Sequence, residues 1–476
     1  MILLYIFIAI VVVILMVVIG KTLAFQPKDF PEMKRKVEFD EKHAVETLSK
    51  MIQFKTISYA NPDKIDLKAF ESFRGYLRDR YPKINAIATY SEHEKGVLFR
   101  IKGERQEAPV VLMAHYDVVP VSGQWQDDPF SGRISETTVY GRGTLDTKNS
   151  LCCLMEAVEH ALNNGKMFHN DLYLAFSGDE EINGPSAPAI VKHLKDQGVQ
   201  PAFVLDEGGA IVSKMFPGVQ KKAAVIGIAE KGYLNLKLIA RSKGGHASTP
   251  PASTPLTELS EAIINLNQHP AFKLKLTPPV KAMFDTIAPH SKSFPIKMLF
   301  SNLWLFLPVV KWIAKKTGGE FLSLFKTTQA FTLAEGSEAI NVLPSEASIG
   351  INYRLAPFES SETVLKRIRK IINNNHVDIE IISVSEPTTT SVVDDLYQKI
   401  RKSIKQTWPD VVCTPYLMVA TTDSRHYHDI SNHVFKFSPM DVSKADLAKI
   451  HGVDEDITID NVIHGVRFYL NLIDQL

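Results

Sequence analysis

Three apolar runs in this chain each end in carboxylate or imidazole groups, and that shared ending restricts the fold more than any other feature. Val110–Val111–Leu112–Met113–Ala114 leads into His115–Tyr116–Asp117, Leu172–Ser177 into Asp179–Glu180–Glu181, and Ala202–Leu205 into Asp206–Glu207. Short continuous apolar runs read as buried strands. Helical periodicity lies between them, over Ser150–Leu162 and Pro185–Lys195. Strands alternating with helices predict an α/β layer with a mostly parallel sheet. Open sheets of that kind place their sites where the strands' carboxyl ends meet loops. The loop Tyr140–Lys148, carrying Asp146, opens the first of those helices. A single acid at any of these points would more often be solvated or cap a helix. Their joint placement is the pattern of a metal site.

Around this centre the chain reads as a catalytic domain in two parts, 38–229 and 386–476, interrupted by an inserted α+β lid domain at 230–385. Amphipathic helices are expected at Asp40–Phe54 and Leu67–Leu77, and strands at Ile84–Tyr90 and Gly96–Ile101. The character changes at Glu230–Lys231–Gly232. Leu234, Leu236 and Leu238 then alternate with Asn235 and Lys237, as in a half-exposed strand. The loop Gly244–Pro251, a helix at Leu256–Leu266, strands at Thr327–Leu333 and Ala347–Arg354, a helix at Glu362–Ile372 and a strand at Asp378–Ser383 complete the insertion. The second part returns with helices at Val393–Thr407 and Asp460–Ile473 flanking a strand at His433–Phe437.

Residues 1–20 form a separate element. Ile2 to Gly20 carries no charge, about 28 Å as a helix against a hydrocarbon core of about 30 Å. No small-x-small cleavage site stands out after it, so an uncleaved anchor followed by a linker at 21–37 is expected, with secretion after cleavage as the alternative. Lys21, Lys28, Lys34, Arg35 and Lys36 follow the span. By the positive-inside rule they would leave the body in the cytoplasm.

Charge and cysteine content exclude some classes. With 54 basic and 53 acidic residues the net charge is +1, which gives no field for nucleic acid. Three cysteines supply neither a disulfide framework nor a tetrahedral thiolate site.

Hydrolysing an amide needs a polarised carbonyl, an activated water and a proton for the leaving nitrogen. Two zinc ions about 3.5–4 Å apart supply the first two. The candidate ligands are His115, Asp146, Glu181, Asp206 and a later histidine. Asp117, two residues beyond His115, points the same way along extended chain and would orient the imidazole. Side chains of adjacent Glu180 and Glu181 diverge, so one can bind metal while the other faces the water.

His115–Tyr116–Asp117–Val118–Val119–Pro120, Gly141–Arg142–Gly143–Thr144–Leu145–Asp146–Thr147–Lys148, Asp179–Glu180–Glu181, Asp206–Glu207–Gly208–Gly209 and Gly245–His246–Ala247–Ser248 together resemble the aminoacylase/carboxypeptidase family of di-zinc amidohydrolases. The resemblance runs from about Glu38 to the C-terminus. It implies two Zn2+ ions bridged by Asp146, with His115 and Asp206 on one and Glu181 and His451 on the other. It makes Glu180 the general base. His451 is preferred over His426, His428, His433 and His464 because His451–Gly452–Val453–Asp454–Glu455 resembles the family's final motif. His246 would help hold the oxyanion, in some relatives across a homodimer, and Arg425 in Thr422–Asp423–Ser424–Arg425 would take the substrate's carboxylate. Asn341 and Arg354 are implied as further substrate contacts, and a cis peptide between Asp146 and Thr147. The implied activity is cleavage, or synthesis by the reverse step, of N-acyl and in particular N-fatty-acyl amino acids, with the body on the extracytoplasmic side. A Gly-Xaa carboxypeptidase acting on short peptides is the alternative, and a catalytically dead, membrane-anchored binding protein a more distant one.

The run Phe294–Ile313 is apolar but interrupted by Pro295, Lys297, Pro308 and Lys311, so it is too broken for a second span. It is expected either as core of the inserted domain or as an apolar surface for an acyl chain or bilayer.

Overall fold

In the computed structural model, which describes residues 1–28, 35, 37–269 and 272–476, the three strand ends converge on one edge of a ten-stranded sheet. Nine strands run in the order Thr89–His93, Gly96–Ile101, Asn170–Ser177, Arg105–His115, Phe203–Asp206, Val434–Lys436, Ala223–Glu230, Ile211–Val212 and Asp441–Val442. Val412–Met418 pairs parallel to Ala223–Glu230 off this path. The central strands from Asn170–Ser177 to Val434–Lys436 are parallel.

The pleat of Arg105–His115 explains why its apolar run is continuous. Val110, Leu112 and Ala114 pack into the core under helices Glu41–Ile52, Lys148–Asn163 and Ile459–Ile473. Val111 and Met113 face the opposite layer, with Ile190 and Tyr427. Both faces are covered, as a parallel sheet requires.

A second sheet of four antiparallel strands, Thr328–Glu335, Glu346–Leu355, Gly232–Arg241 and Val377–Ser385, stands apart. Leu234, Leu236 and Leu238 lie beneath helices Pro255–Gln268 and Ser361–Ile372. Three further helices between its strands in sequence, Pro278–Ile287, Phe294–Ser301 and Leu303–Thr317, pack elsewhere. They rest on Ala223, Val225, Ala229, Tyr416, Leu417 and Met418 of the large sheet.

Some local expectations are corrected. Ile84–Tyr90 is not one strand: Pro82–Ile87 is helical and the strand begins at Thr89. Pro82 sits at the helix start, where its missing N–H costs nothing, and the Glu159 carboxylate accepts from Lys83 N and Ile84 N, each at 2.9 Å. The wholly buried strands Ala223–Glu230 and Val412–Met418 were not anticipated. Of the expected linker, residues 29–34 and 36 lie outside the described residues, and the N-terminal helix runs on to Ala24. The Asp146–Thr147 peptide is cis.

Candidate metal centre and active site

Two donor clusters meet at Asp146. His115 Nε2 lies 3.1 Å from Asp146 Oδ1 and 3.2 Å from Glu207 Oε1. His451 Nε2 lies 3.0 Å from Asp146 Oδ2 and 3.1 Å from Glu181 Oε2. Each oxygen of one carboxylate therefore faces a different cluster, His115–Asp146–Glu207 and Asp146–Glu181–His451. That is the placement a bridging ligand needs, and imidazole with carboxylate suits zinc and neighbouring divalent ions.

Asp117 fixes two parts at once. Its carboxylate accepts from Glu180 N at 3.1 Å and Glu181 N at 3.2 Å, which sets the turn Glu180–Ile182. The same carboxylate lies 3.4 Å from His115 Nδ1, whose nearer partner is the Asp117 carbonyl at 3.0 Å. The imidazole's other nitrogen is thereby aimed at the cluster. Glu180 itself belongs to neither cluster.

Asp206 is in neither cluster, and Glu207 stands where the sequence reading puts Asp206. Its Oδ2 accepts from Ser424 N at 2.9 Å. Asp206 ends the strand and sits under the turn Asp423–Asp429, which takes up its carboxylate. Glu207, one residue further and one methylene longer, reaches over the strand end to His115. The signal was present in the sequence as adjacent acids, but extended spacing does not say which one curls back. The two are separable by experiment: Glu207→Gln is expected to hold less metal than the parent while Asp206→Asn holds as much, measured by metal analysis after exhaustive dialysis. The reverse outcome would return Asp206 to the ligand set.

The electrostatics fit a cation. Burial pushes Glu207 up to about 8, with Asp146 and Asp206 adding to the shift against the pull of His115. Burial likewise raises Glu180, with Asp423, Glu207 and Glu181 adding to it, and raises Glu181 and Asp206. Asp146 is the exception: burial would raise it, but His115 and His451 outweigh that and hold it below the usual carboxylate range. His451 is raised to about 10, by Asp146 first and Glu181 next. Closely packed acids of this kind need counter-charge at the point where their oxygens converge.

Beside the Glu180 turn, Arg425 donates to Asn183 Oδ1 at 3.0 Å and to Thr422 O at 3.3 Å, over the Tyr233 ring. Arg354 is lowered by burial and then by Arg425, so the two guanidiniums share a field. Neither is paired with a carboxylate among the described residues. Two guanidiniums in one field offer the charge and planar donors that suit a carboxylate. Asn183 and Tyr233 were not expected here.

His246 and Asn341 sit together but away from these clusters. The ribbon Gly245–His246 pairs with Val342–Leu343, Ala247 N donates to Asn341 O at 3.0 Å, and His246 Nδ1 lies 2.8 Å from Ser248 Oγ. Both residues are exposed. The other histidines are held outside the clusters: His433 by Asp394 at 2.8 Å, His428 by Thr389 at 3.0 Å, and His464 by Asp460 O at 2.7 Å. Burial lowers His426 to about 4.

Comparison with known proteins gives a family and a shared fold. The family model of peptidase family M20/M25/M40 matches residues 111–475. The chain is 36% identical over 443 residues to "Probable carboxypeptidase S-like 2" of Dictyostelium discoideum, covering 90% of this chain and 83% of that protein. It is 32% identical over 454 residues to "N-fatty-acyl-amino acid synthase/hydrolase PM20D1" of Mus musculus, covering 92% and 89%. Among solved structures, an M20 family metallo-carboxypeptidase from Sulfolobus solfataricus shares the fold with a TM-score of 0.68 at 18% identity, over 92% of this chain and 99% of that one. Human carnosine dipeptidase 1 does so with a TM-score of 0.66 at 15% identity, over 92% and 97%.

Proposed function

This chain belongs to peptidase family M20/M25/M40, and from that premise we propose that it is a membrane-anchored hydrolase of N-fatty-acyl amino acids, which the same site would also make in reverse. It is a metal-dependent hydrolase of amide bonds. The observation that carries the reading is the pair of donor clusters sharing Asp146, set beside the Glu180 turn and the Arg354–Arg425 receptor.

Two zinc ions, held by His115, Asp146 and Glu207 and by Asp146, Glu181 and His451, would supply Lewis acidity to the scissile carbonyl and to water. The chain's own groups do the rest. Arg425 and Arg354 hold the free carboxylate of the amino acid. Glu180, on the turn fixed by Asp117, takes the proton of the attacking water and returns it to the departing amine nitrogen. His246 and Asn341, exposed together on the four-stranded domain, would donate to the carbonyl oxygen from a second copy of the chain in a homodimer. The N-terminal helix holds the enzyme in the bilayer with its body on the extracytoplasmic side.

A Gly-Xaa carboxypeptidase is the second reading, favoured by the carboxypeptidase S-like relative, because the same arginine pair would take a peptide's terminal carboxylate. A binding protein on a dead site is disfavoured by the full donor set. A hydrolysis panel of N-acetyl, N-octanoyl and N-oleoyl amino acids against Gly-Xaa dipeptides separates them. Each buried methylene contributes about 0.8 kcal/mol, nearly fourfold, so kcat/KM is expected to climb steeply with acyl length. Dipeptides cleaved better than every acyl amino acid would give the site to the second reading.

A further inference from the structure

Only Val18 and Thr22 of the N-terminal helix are buried, and both meet one point of the body. That point is the junction of helices Phe294–Ser301 and Leu303–Thr317, which join at 113°. Buried Asn302 donates through Nδ2 to Val18 O and to Thr22 Oγ1, each at 3.2 Å. The Thr22 and Ser301 hydroxyls lie 3.1 Å apart. The Lys21 ammonium is 5.5 Å from the Trp304 ring centroid, and Trp304 Nε1 donates to Asn302 Oδ1 at 3.3 Å. A helix with the length and composition of a bilayer span is thus fastened near its C-terminal end to this pair.

The helix Leu303–Thr317 is apolar on both sides. Leu303, Val310 and Ala314 face inward onto the core that holds Phe216, Phe284 and Phe300. On the opposite side Trp304 is 55% exposed, Leu305 39%, Val309 43% and Trp312 60%, and Phe294 of the neighbouring helix is 48% exposed. A helix facing water would carry polar groups there, and an apolar surface this concentrated needs an occupant. Exposed Lys315 and Lys316 close its far end. Tryptophan with flanking lysine is the composition of a bilayer interface, where indole sits at headgroup depth and ammonium meets lipid phosphate.

We propose that the Phe294–Thr317 helix pair is a second membrane contact, lying in the interface of the same bilayer that the N-terminal helix crosses. The occupant is lipid because the face is continuous with the anchor at Thr22, Lys21 and Trp304. The proposal rests on reading the N-terminal helix as an anchor. Its consequence is that the catalytic body is held flat on the surface into which a long-chain substrate partitions.

The chain has four tryptophans, Trp125, Trp304, Trp312 and Trp408. The full-length protein with Trp125→Phe and Trp408→Phe is reconstituted into vesicles of phosphatidylcholine and phosphatidylserine that carry a spin label near the headgroup or near the chain end. Fluorescence is expected to fall by about half or more with the headgroup-proximal label, and less with the deep one. The complementary variant Trp304→Phe with Trp312→Phe is expected to show no more quenching than unlabelled vesicles. Equal, weak quenching in both variants would overturn the proposal, as would a doubled mass with the two indoles shielded from lipid, which would give the face to a second copy. Alkaline carbonate extraction keeps the two readings distinguishable. A chain released by carbonate defeats the anchor reading itself, whereas a chain retained but unquenched defeats only the second contact.

Discussion

Glu180→Gln is expected to lose at least about 100-fold in turnover while holding as much metal as the parent, the scale on which a positioned base contributes. The expectation follows from how the turn is built. Asp117 accepts from the backbone of both Glu180 and Glu181, which fixes where two adjacent side chains leave the chain. Glu181 leaves towards His451 and Asp146, with its Oε2 3.1 Å from the imidazole. Glu180 joins neither cluster yet lies close enough to feel His115, Asp423, Glu207 and Glu181. An amide in its place keeps shape and backbone contacts, so the turn and the clusters should stand. What is lost is the group that can take a proton and give it back. Turnover on an N-acyl amino acid, with metal content measured on the same samples, checks both halves. Equal metal loss in Glu180→Gln and Glu181→Gln would mean that both carboxylates are ligands and that the base lies elsewhere.

The strand ends were legible because a buried parallel strand must be apolar on both faces, so polar residues appear abruptly where it stops. His115, Glu180–Glu181 and Asp206–Glu207 announce themselves in this way. What failed were questions settled by neighbours distant in sequence. The choice between Asp206 and Glu207 is not legible locally, because nothing near them foretells that Ser424, 218 residues on, presents its N–H to the Asp206 carboxylate. Asn183 supports Arg425 from 242 residues away, and no local pattern marks an asparagine after two glutamates as a guanidinium's partner. Ala223–Glu230 was missed for a different reason. Its alanines and glycine dilute the β-branched signal, although all eight of its residues are buried. The helix at Pro82–Ile87 was hidden because its start is satisfied by Glu159, a residue of another helix.

Glu455→Ala is expected to destabilise the fold by about 3–5 kcal/mol and to weaken metal retention with it, since it leaves a buried guanidinium without its partner. His451 and Asp146 come from segments 305 residues apart, and Glu455 is what joins them. Its Oε2 accepts from Arg142 Nη1 at 2.5 Å, and its Oε1 from Gly143 N at 3.1 Å, Leu145 N at 2.7 Å and Asp146 N at 3.3 Å. The Glu455 carbonyl takes Gly141 N at 2.8 Å, and Arg142 returns a hydrogen bond to Gly452 O at 2.7 Å. Strand Asp456–Thr458 then pairs with Thr138–Tyr140. His451 is itself in the left-handed region, with φ 60°, a conformation that costs a non-glycine residue about 1–2 kcal/mol and persists only where the surroundings impose it. Burial pushes the Glu455 carboxyl up while Arg142 pulls it back. Truncation should therefore act twice, by stranding Arg142 with three N–H groups and by releasing the turn that aims His451. Glu455→Gln keeps an oxygen for the backbone donors and should fall between the two. The denaturant midpoint and the metal content after dialysis read the two effects separately. A Glu455→Ala protein within about 1 kcal/mol of the parent and fully metallated would show that the His451 turn is held by the strand pair alone.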